Sequence, residues 1–448
     1  MPPSQEGVST GSRKFTLLAL LLLAFGFRFY FGLHCPAVIV DEDEIQTYLV
    51  GLKSFTTHTW PTFGTDMPLD NGEMKGQMAG ALEGLLVAVP LWIWPAPESP
   101  YLFVNLLSFL ALTFLGWYCR KRTPGLPAWF IFGWLWIAPW TTHFSTQVMN
   151  QSYALVGAIL FIVGFMEAVP TLRLGVLSTS QANFWLGFGF LWMAQLHMSW
   201  VLFAPFLLYA LWIQSKKETG FPAWGMVFLG ALPLLILLIP TYIQYGFTTF
   251  RNVQGYSTIF NFSNVLGILD LLGRYLSLAC FELPRFIGAH TNERARYLLA
   301  TPWLEGPGFI LWGAGIAQAA GLFLLGFFPK AGHSDWKAVR NLTLAFFLAL
   351  YVFFWFSAKL PTSYRYYEIL PLVMIYSFYC WESLAGKALW RKTGIAFLAL
   401  ALFFQVGYAL RNAREGTSVY SRYQDRMARA IEAGDYRLLA DRRAGALY

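Results

Sequence analysis

"FTLLALLLLAFGFRFYFGLHCPAVIVDEDEIQTYLVGLKSF", residues 15–55, runs from an apolar stretch straight into four adjacent carboxylates. The stretch Phe15 to Leu33 is long enough to cross a bilayer, since about 20 residues at ~1.5 Å rise span its hydrocarbon core. Arg13 and Lys14 precede it, no small-residue cleavage site follows it, and Arg28 lies inside it. It therefore reads as a retained first helix starting in the cytoplasm, not as a signal peptide. Asp41, Glu42, Asp43 and Glu44 then stand at the height of the opposite headgroups, where charge is kept only if hydrated, paired or bound to a cation. Behind them Ile45, Leu49, Leu52 and Phe55 recur at helical spacing. A short surface helix there would hold Asp43 and Glu44 in its first turn, where the helix dipole stabilises carboxylates. The alternative is a solvated loop start.

The rest of the chain supports a membrane setting. Of its 448 residues 56% are hydrophobic and only 12% charged, with a mean hydropathy of +0.48. A soluble domain carries about 25% charged residues, so this is the composition of a polytopic membrane protein. The formal net charge of +8 falls largely in short loops, where it sets topology, and gives no reason to expect nucleic acid as a partner. Cys35, Cys119, Cys280 and Cys380 are too scattered for a disulfide framework or a metal cluster, leaving Cys35–Cys280 as the one pair worth testing. There is no internal repeat and no GxGxxG, Walker or HExxH signature.

Apolar spans fall near 15–33, 101–118, 127–139, 153–169, 183–196, 198–213, 222–240, 307–328, 341–357, 366–385 and 393–410. The stretch 80–95 is ambiguous, being short and holding Glu83 and Pro90. Treated as a membrane-surface or re-entrant element, it leaves the basic loops 119–125, 214–220, 329–340 and 386–394 all on one side, as the positive-inside rule asks. The expected fold is thus an all-α polytopic membrane domain over 1–410 with about eleven spans, N-terminus inside and C-terminus outside. The outer face would carry the first loop, 34–100, with juxtamembrane helices, a turn at His197, the long loop 241–306, the short loop 358–365 and a tail, 411–448. That tail has partly helical apolar spacing and would pack on the external loops or lie on the membrane.

The order of a first helix, "DEDEIQTYLVGLKSF", "WPTFGTD…GEMKGQMAGALEGLLVAVPLWIW" and the basic turn "CRKRTPG", followed late by "YRYYEILPLVMIYSF", resembles the GT-C-fold membrane glycosyltransferases. Within these it is similar to the protein mannosyltransferase and aminoarabinose transferase group. The resemblance covers about the first 210 residues and 355–385. It implies an enzyme that moves a sugar from a polyprenyl-phosphate donor to an acceptor hydroxyl on a glycan, lipid or protein. The expected setting is the extracytoplasmic face of a bacterial inner or plasma membrane, among membrane lipids. By the register of "YLVGL", the family's Asp-Glu pair falls on Asp43 and Glu44, with Asp43 as general base and Asp41 the close alternative.

Cations are needed where the phosphate leaves, because charge builds there as the glycosidic bond breaks. Arg365 and Lys359 are the candidates, a bidentate fork and a point charge, with Tyr366 and Tyr364 as hydrogen-bonding partners. His197 is either a satisfied structural residue or a contact to phosphate or acceptor; His58 and His143 are weaker candidates. Glu73, Lys75 and Glu83 line an acceptor groove or face water, and Arg285, Arg294 and Arg296 have no assigned role. Many family members place an acid in the second external loop, where this chain has Asn150 and Gln151. Some use a divalent cation, Mg or Mn, and others none; Asp41 and Asp43 supply oxygen ligands of the right kind, yet two neighbouring acids do not make a site, and no metal-binding residue is assigned. A transporter or flippase is disfavoured: such proteins gather ionisable residues near mid-membrane in two related halves, whereas Arg28 and Glu167 lie near helix ends and no two-half symmetry is visible. An oligosaccharide ligase or polymerase of another fold is the remaining alternative.

Overall fold

The computed structural model describes residues 10–35, 41–68, 74–216, 220–246, 260–277, 283–287, 291–328, 333–357 and 363–440. Helix α1 (Thr10–His34) buries Arg28 and Phe31 but turns Leu18, Leu20, Leu22 and Leu23 outward. An apolar face of that extent calls for an apolar surrounding such as lipid. Helix α2 (Asp41–Thr57) realises the amphipathic spacing, with Leu49 and Leu52 fully buried and Ile45 and Phe55 packed on the same cluster.

Between α2 and the bundle the chain departs from an all-α expectation. Strands β1 (Phe63–Pro68) and β2 (Met74–Ala79) form an antiparallel hairpin pairing Phe63 with Ala79 and Asp66 with Gln77. It leads into α3 (Leu82–Ile93), whose twelve residues, Pro90 among them, are largely buried against α2. The stretch 78–95, read from sequence as a membrane-surface or re-entrant element, consists of a strand end and a short helix.

The bundle proper is α4 (Ser99–Arg122), α5 (Ala128–Ile137), α6 (Pro139–His143), α7 (Asn150–Ala168), α8 (Thr179–Ala194), α9 (Trp200–Ser215) and α10 (Gly220–Tyr245). After it come the short helices α11 (Phe262–Leu266), α12 (Ile268–Ser277), α13 (Leu283–Phe286) and α14 (Thr291–Ala300), which occupy the long-loop region. The chain ends with α15 (Pro302–Leu325), α16 (Trp336–Phe354), a 3-10 segment Ser363–Ile369, α17 (Leu370–Glu382), α18 (Ala388–Glu415) and α19 (Val419–Ala433). Among the described residues six helices are long and apolar enough to cross a membrane, α4, α7, α10, α15, α16 and α18, with shorter apolar ones in α1, α3, α5 and α9. This is an integral membrane protein.

Helix α7 is the axis of the bundle, with almost all its residues buried. It meets α8 closely because a Cβ at Gly189 would lie 2.4 Å from the carbonyl of Gly157, the small-residue contact that lets membrane helices approach. At the end of α7 near Ala168 an ionic clamp ties three segments. Arg122 reaches Asp335 at 2.8 Å and Glu167 at 3.5 Å, while Glu167 accepts from the backbone N–H groups of Leu174, Gly175 and Val176. Breaking a fully buried pair of this kind strands the partner's charge, which costs about 3–5 kcal/mol.

The tail packs on the first-loop helix, the former of the two arrangements open in the sequence. Ser418 caps α19 and donates to the carbonyl of Leu33 at 2.7 Å, and the Tyr420 hydroxyl donates to Glu98. Met427 and Ala430 are fully buried in one cluster with Tyr48, Leu49 and Leu52 of α2. Cys35 lies 3.0 Å from His143 Nδ1, and the proposed partner Cys280 lies outside the described residues.

Candidate active site

The first turn of α2 sends its two central acids apart, as successive residues on a helix lie ~100° round the axis. Glu44 turns inward and is buried, accepting a 2.7 Å hydrogen bond from the hydroxyl of the equally buried Tyr101. Asp43 stays half-buried on the other side, facing Glu83 and His197 closely enough for its charge to act on both. The side chains of Asp41 and Lys359 lie outside the described residues, as do those of Glu73, Lys75, Tyr364 and Arg285.

Glu83, expected from sequence to line an acceptor groove or face water, is instead fully buried and away from water. It opens α3 beneath the hairpin and accepts from Thr47 Oγ1 at 2.8 Å and from the Thr65 backbone N–H at 3.0 Å. Burial pushes its carboxyl up to about 7, with Asp43 adding to the rise and the two hydrogen bonds opposing it. Gly64 is what lets the hairpin close over this acid, since a Cβ there would sit 2.1 Å from Glu83 Oε2. Asn150, at the start of α7, donates to Thr65 Oγ1 at 3.3 Å. Asn150 is therefore linked through Thr65 to the carboxylate of Glu83.

His197 sits in the turn between α8 and α9. Its Nδ1 is 2.9 Å from Glu368 Oε1 and 2.8 Å from Ser199 Oγ. Burial alone would lower the imidazole, but the neighbouring Glu368 and Asp43 outweigh it and hold the ring above its ordinary value, with Arg365 opposing. The hairpin closes on this turn too: at Gly80, with φ +126°, a Cβ would lie 2.3 Å from Gln195 Oε1, two residues before His197. Only glycine combines that backbone angle with that approach.

Glu368 and Arg365 belong to the 3-10 segment before α17. Its kink at Tyr366 (φ −137°, ψ 24°) separates two directions. Arg365 is half-buried, with Nη1 3.4 Å from Ser357 Oγ, and its charge reaches His197. Tyr366 instead is fully buried, edge-on to Phe354 at 6.2 Å. Of the sequence candidates, then, the fold gathers Asp43, His197 and Arg365, and turns Glu44 and Tyr366 into the packing behind them. His58 is exposed at the end of α2, His143 is buried against Cys35, and Arg296 donates to the carbonyl of Asn292 one turn back in its own helix.

Glu368 is the residue that sequence reasoning missed. Its signal was a lone acid in the aromatic run "SYRYYEILP" at a helix start, where a buried carboxylate needs a cationic partner. Among the described residues no three of His, Cys, Asp and Glu converge in a way that could hold a metal ion.

No protein-family model matches this sequence, and no curated protein matches it either. Among solved structures the chain is similar to ArnT from Cupriavidus metallidurans bound to undecaprenyl phosphate, with a TM-score of 0.53 and 12% identity over 96% of this chain and 76% of that one. The apo state of the same protein gives 0.50 and 12%, over 95% and 76%. The chain thus has the GT-C fold that the first-loop acids suggested.

Proposed function

We propose that this protein is a membrane glycosyltransferase that takes a sugar from a polyprenyl-phosphate carrier and joins it to an acceptor hydroxyl. One observation carries the reading: α2, the α8–α9 turn and the 3-10 segment, far apart in sequence, bring Asp43, His197 with Glu368, and Arg365 to one end of the bundle. The fold is shared with ArnT, whose structure holds undecaprenyl phosphate.

In the proposed reaction the acceptor oxygen attacks the anomeric carbon as the bond from that carbon to the phosphate oxygen breaks. The bonding electrons leave with the phosphate, and Asp43 takes the hydroxyl proton as general base. Arg365 and protonated His197 bind the phosphate as its charge grows, Arg by a two-pronged fork. Glu368 fixes the imidazole ring and favours its charged form. Glu83, which exchanges its proton near neutrality, is suited to pass on the proton that Asp43 collects. Lys359 is retained as a second phosphate-binding cation and Asp41 as the alternative base. We place the site on the extracytoplasmic face, with about eleven spans and the basic loops inside; a glycan, lipid or protein hydroxyl is the acceptor.

The test is transfer of labelled sugar from polyprenyl-phosphate donors by the purified protein. General-base loss in Asp43→Asn is expected to lower turnover by about 10²–10⁴-fold. Full turnover in that variant would remove Asp43 from the mechanism.

A further inference from the structure

At the end of the bundle away from Asp43, helices α7, α9 and α16 enclose a cleft of about 720 Å³. Helix α16 fixes which end this is, because its C-terminal side leads to Ser357, which contacts Arg365, while its first turns line the cleft. The walls are apolar at depth, with Phe165, Phe206 and Leu342 among them, and Phe206 stacks on Phe346 at 3.6 Å to form the floor. Pro205, inside α9, removes one helix hydrogen bond, and α16 contributes the small Ala338 and Ala345 to the wall beside Leu342. On the outside of α9, Leu208 and Trp212 are exposed, so the helix faces lipid beside the cleft.

Two features identify what fits. From Trp336 to Ala345 the α16 wall is about 14 Å long at ~1.5 Å per residue, close to half of the ~30 Å hydrocarbon core and so one leaflet. The polar lining residues of the cleft are Lys337, Ser334, Thr171 and Asn341, with Ser334 just before α16 and Lys337 in its first turn. Lys337 forms no ion pair or hydrogen bond with the described residues, although Arg122 and Asp335 beside it are mutually paired. Across the 168–175 loop Arg173 lines an adjoining hollow of about 450 Å³ with Thr179 and Gln214, again with no partner among the described residues. An apolar slot one leaflet deep, with an ammonium and hydroxyls at headgroup level, complements a single lipid carrying negative charge.

We propose that this cleft binds one anionic phospholipid of the leaflet opposite the candidate active site, its acyl chain against Phe206 and Leu342 and its phosphate at Lys337. The proposal is independent of sugar transfer.

Native mass spectrometry of the delipidated full-length protein, reloaded from micelles with phosphatidylglycerol, phosphatidylcholine or undecaprenyl phosphate, tests it. The wild type is expected to retain one phosphatidylglycerol about tenfold better than phosphatidylcholine, the scale of one charge-assisted hydrogen bond. Lys337→Ala abolishes that preference, Lys337→Arg keeps it, and Ala345→Phe reduces retention of both phospholipids by filling the slot. Gel filtration and melting checks confirm that all three variants fold, and Lys337 and Ala345 are both exposed enough for this to be expected. Equal retention of the two phospholipids by the wild type, unchanged retention in Ala345→Phe, or displacement of phosphatidylglycerol by undecaprenyl phosphate would each overturn the assignment.

Discussion

Glu368 Oε1 lies 2.9 Å from Nδ1 of His197, joining the 3-10 segment before α17 to the turn between α8 and α9. The carboxylate is fully buried, so the pair works in a setting where charge is weakly screened. Glu368→Gln removes the largest influence raising the imidazole and leaves burial to lower it. The alkaline limb of the pH–rate profile is expected to move to lower pH, whereas a merely structural Glu368 would scale the profile without moving it. For stability the sign is fixed by the raised imidazole: the pair's contribution is full below about pH 6.5 and fades as pH rises through the folded-state value. His197→Ala, which leaves the buried carboxylate uncompensated, is expected to cost about 3–5 kcal/mol in unfolding experiments.

Glu83 has the same pH sign, but removing its charge is expected to stabilise the fold at high pH. A carboxyl raised from 4.5 to about 7 favours folding when protonated, so its contribution is full below pH 4.5 and is lost as pH rises through about 7. That range corresponds to about 3 kcal/mol in total. Glu83→Gln should therefore be more stable than the wild type at pH 8 and indistinguishable from it at pH 4, read as melting midpoints in detergent. A variant less stable than the wild type at pH 8 would show that the ionised acid, held by Thr47 and Thr65, is the form the fold prefers.

Tyr101 holds Glu44 by a 2.7 Å hydrogen bond inside the cluster shared by α2 and α19. Tyr101→Phe leaves a buried carboxylate short of a donor, and an expected loss of about 1–3 kcal/mol follows. Glu44→Gln keeps an acceptor for the same hydroxyl and should cost less. The reverse order in chemical or thermal unfolding would mean that the Glu44 charge itself stabilises the fold, through partners other than Tyr101.

Orientation is checked at Lys121, an exposed residue in the last turn of α4 beside the Arg122 clamp. A single cysteine placed there in a background lacking the native ones is expected to react with membrane-impermeant maleimide only from the cytoplasmic side. Labelling from outside would invert the loop assignment and move Asp43 to the cytoplasmic face.

Much of this architecture was written in local pattern. The α2 helix followed from Ile45, Leu49, Leu52 and Phe55, and the membrane helices from apolar runs, because both signals depend on neighbours a few residues apart. The hairpin was invisible: "FGTDMP" and "MKGQMA" are short, contain glycine and show no two-residue alternation. Contacts across the fold were equally hidden. Nothing local links Glu368 to His197, or Arg122 to Asp335 across 213 positions, and the role of Glu83 depends on a strand folding over it. The proposed base was narrowed to Asp43 or Asp41 only through the resemblance that runs through "YLVGL", whereas the acidic and basic groups near Asp43 became visible only in three dimensions.

The central claim is that Asp43 and Arg365 act on opposite sides of a sugar held by a lipid phosphate. Its most direct measurement is single-turnover transfer from labelled polyprenyl-phosphate sugars to membrane acceptors, comparing the wild type with Asp43→Asn and Arg365→Ala. The account predicts that Asp43→Asn binds donor normally and loses transfer by about 10²–10⁴-fold, while Arg365→Ala loses donor affinity and rate together. Transfer undiminished in both variants, or no transfer by the wild type from any such donor, would contradict it.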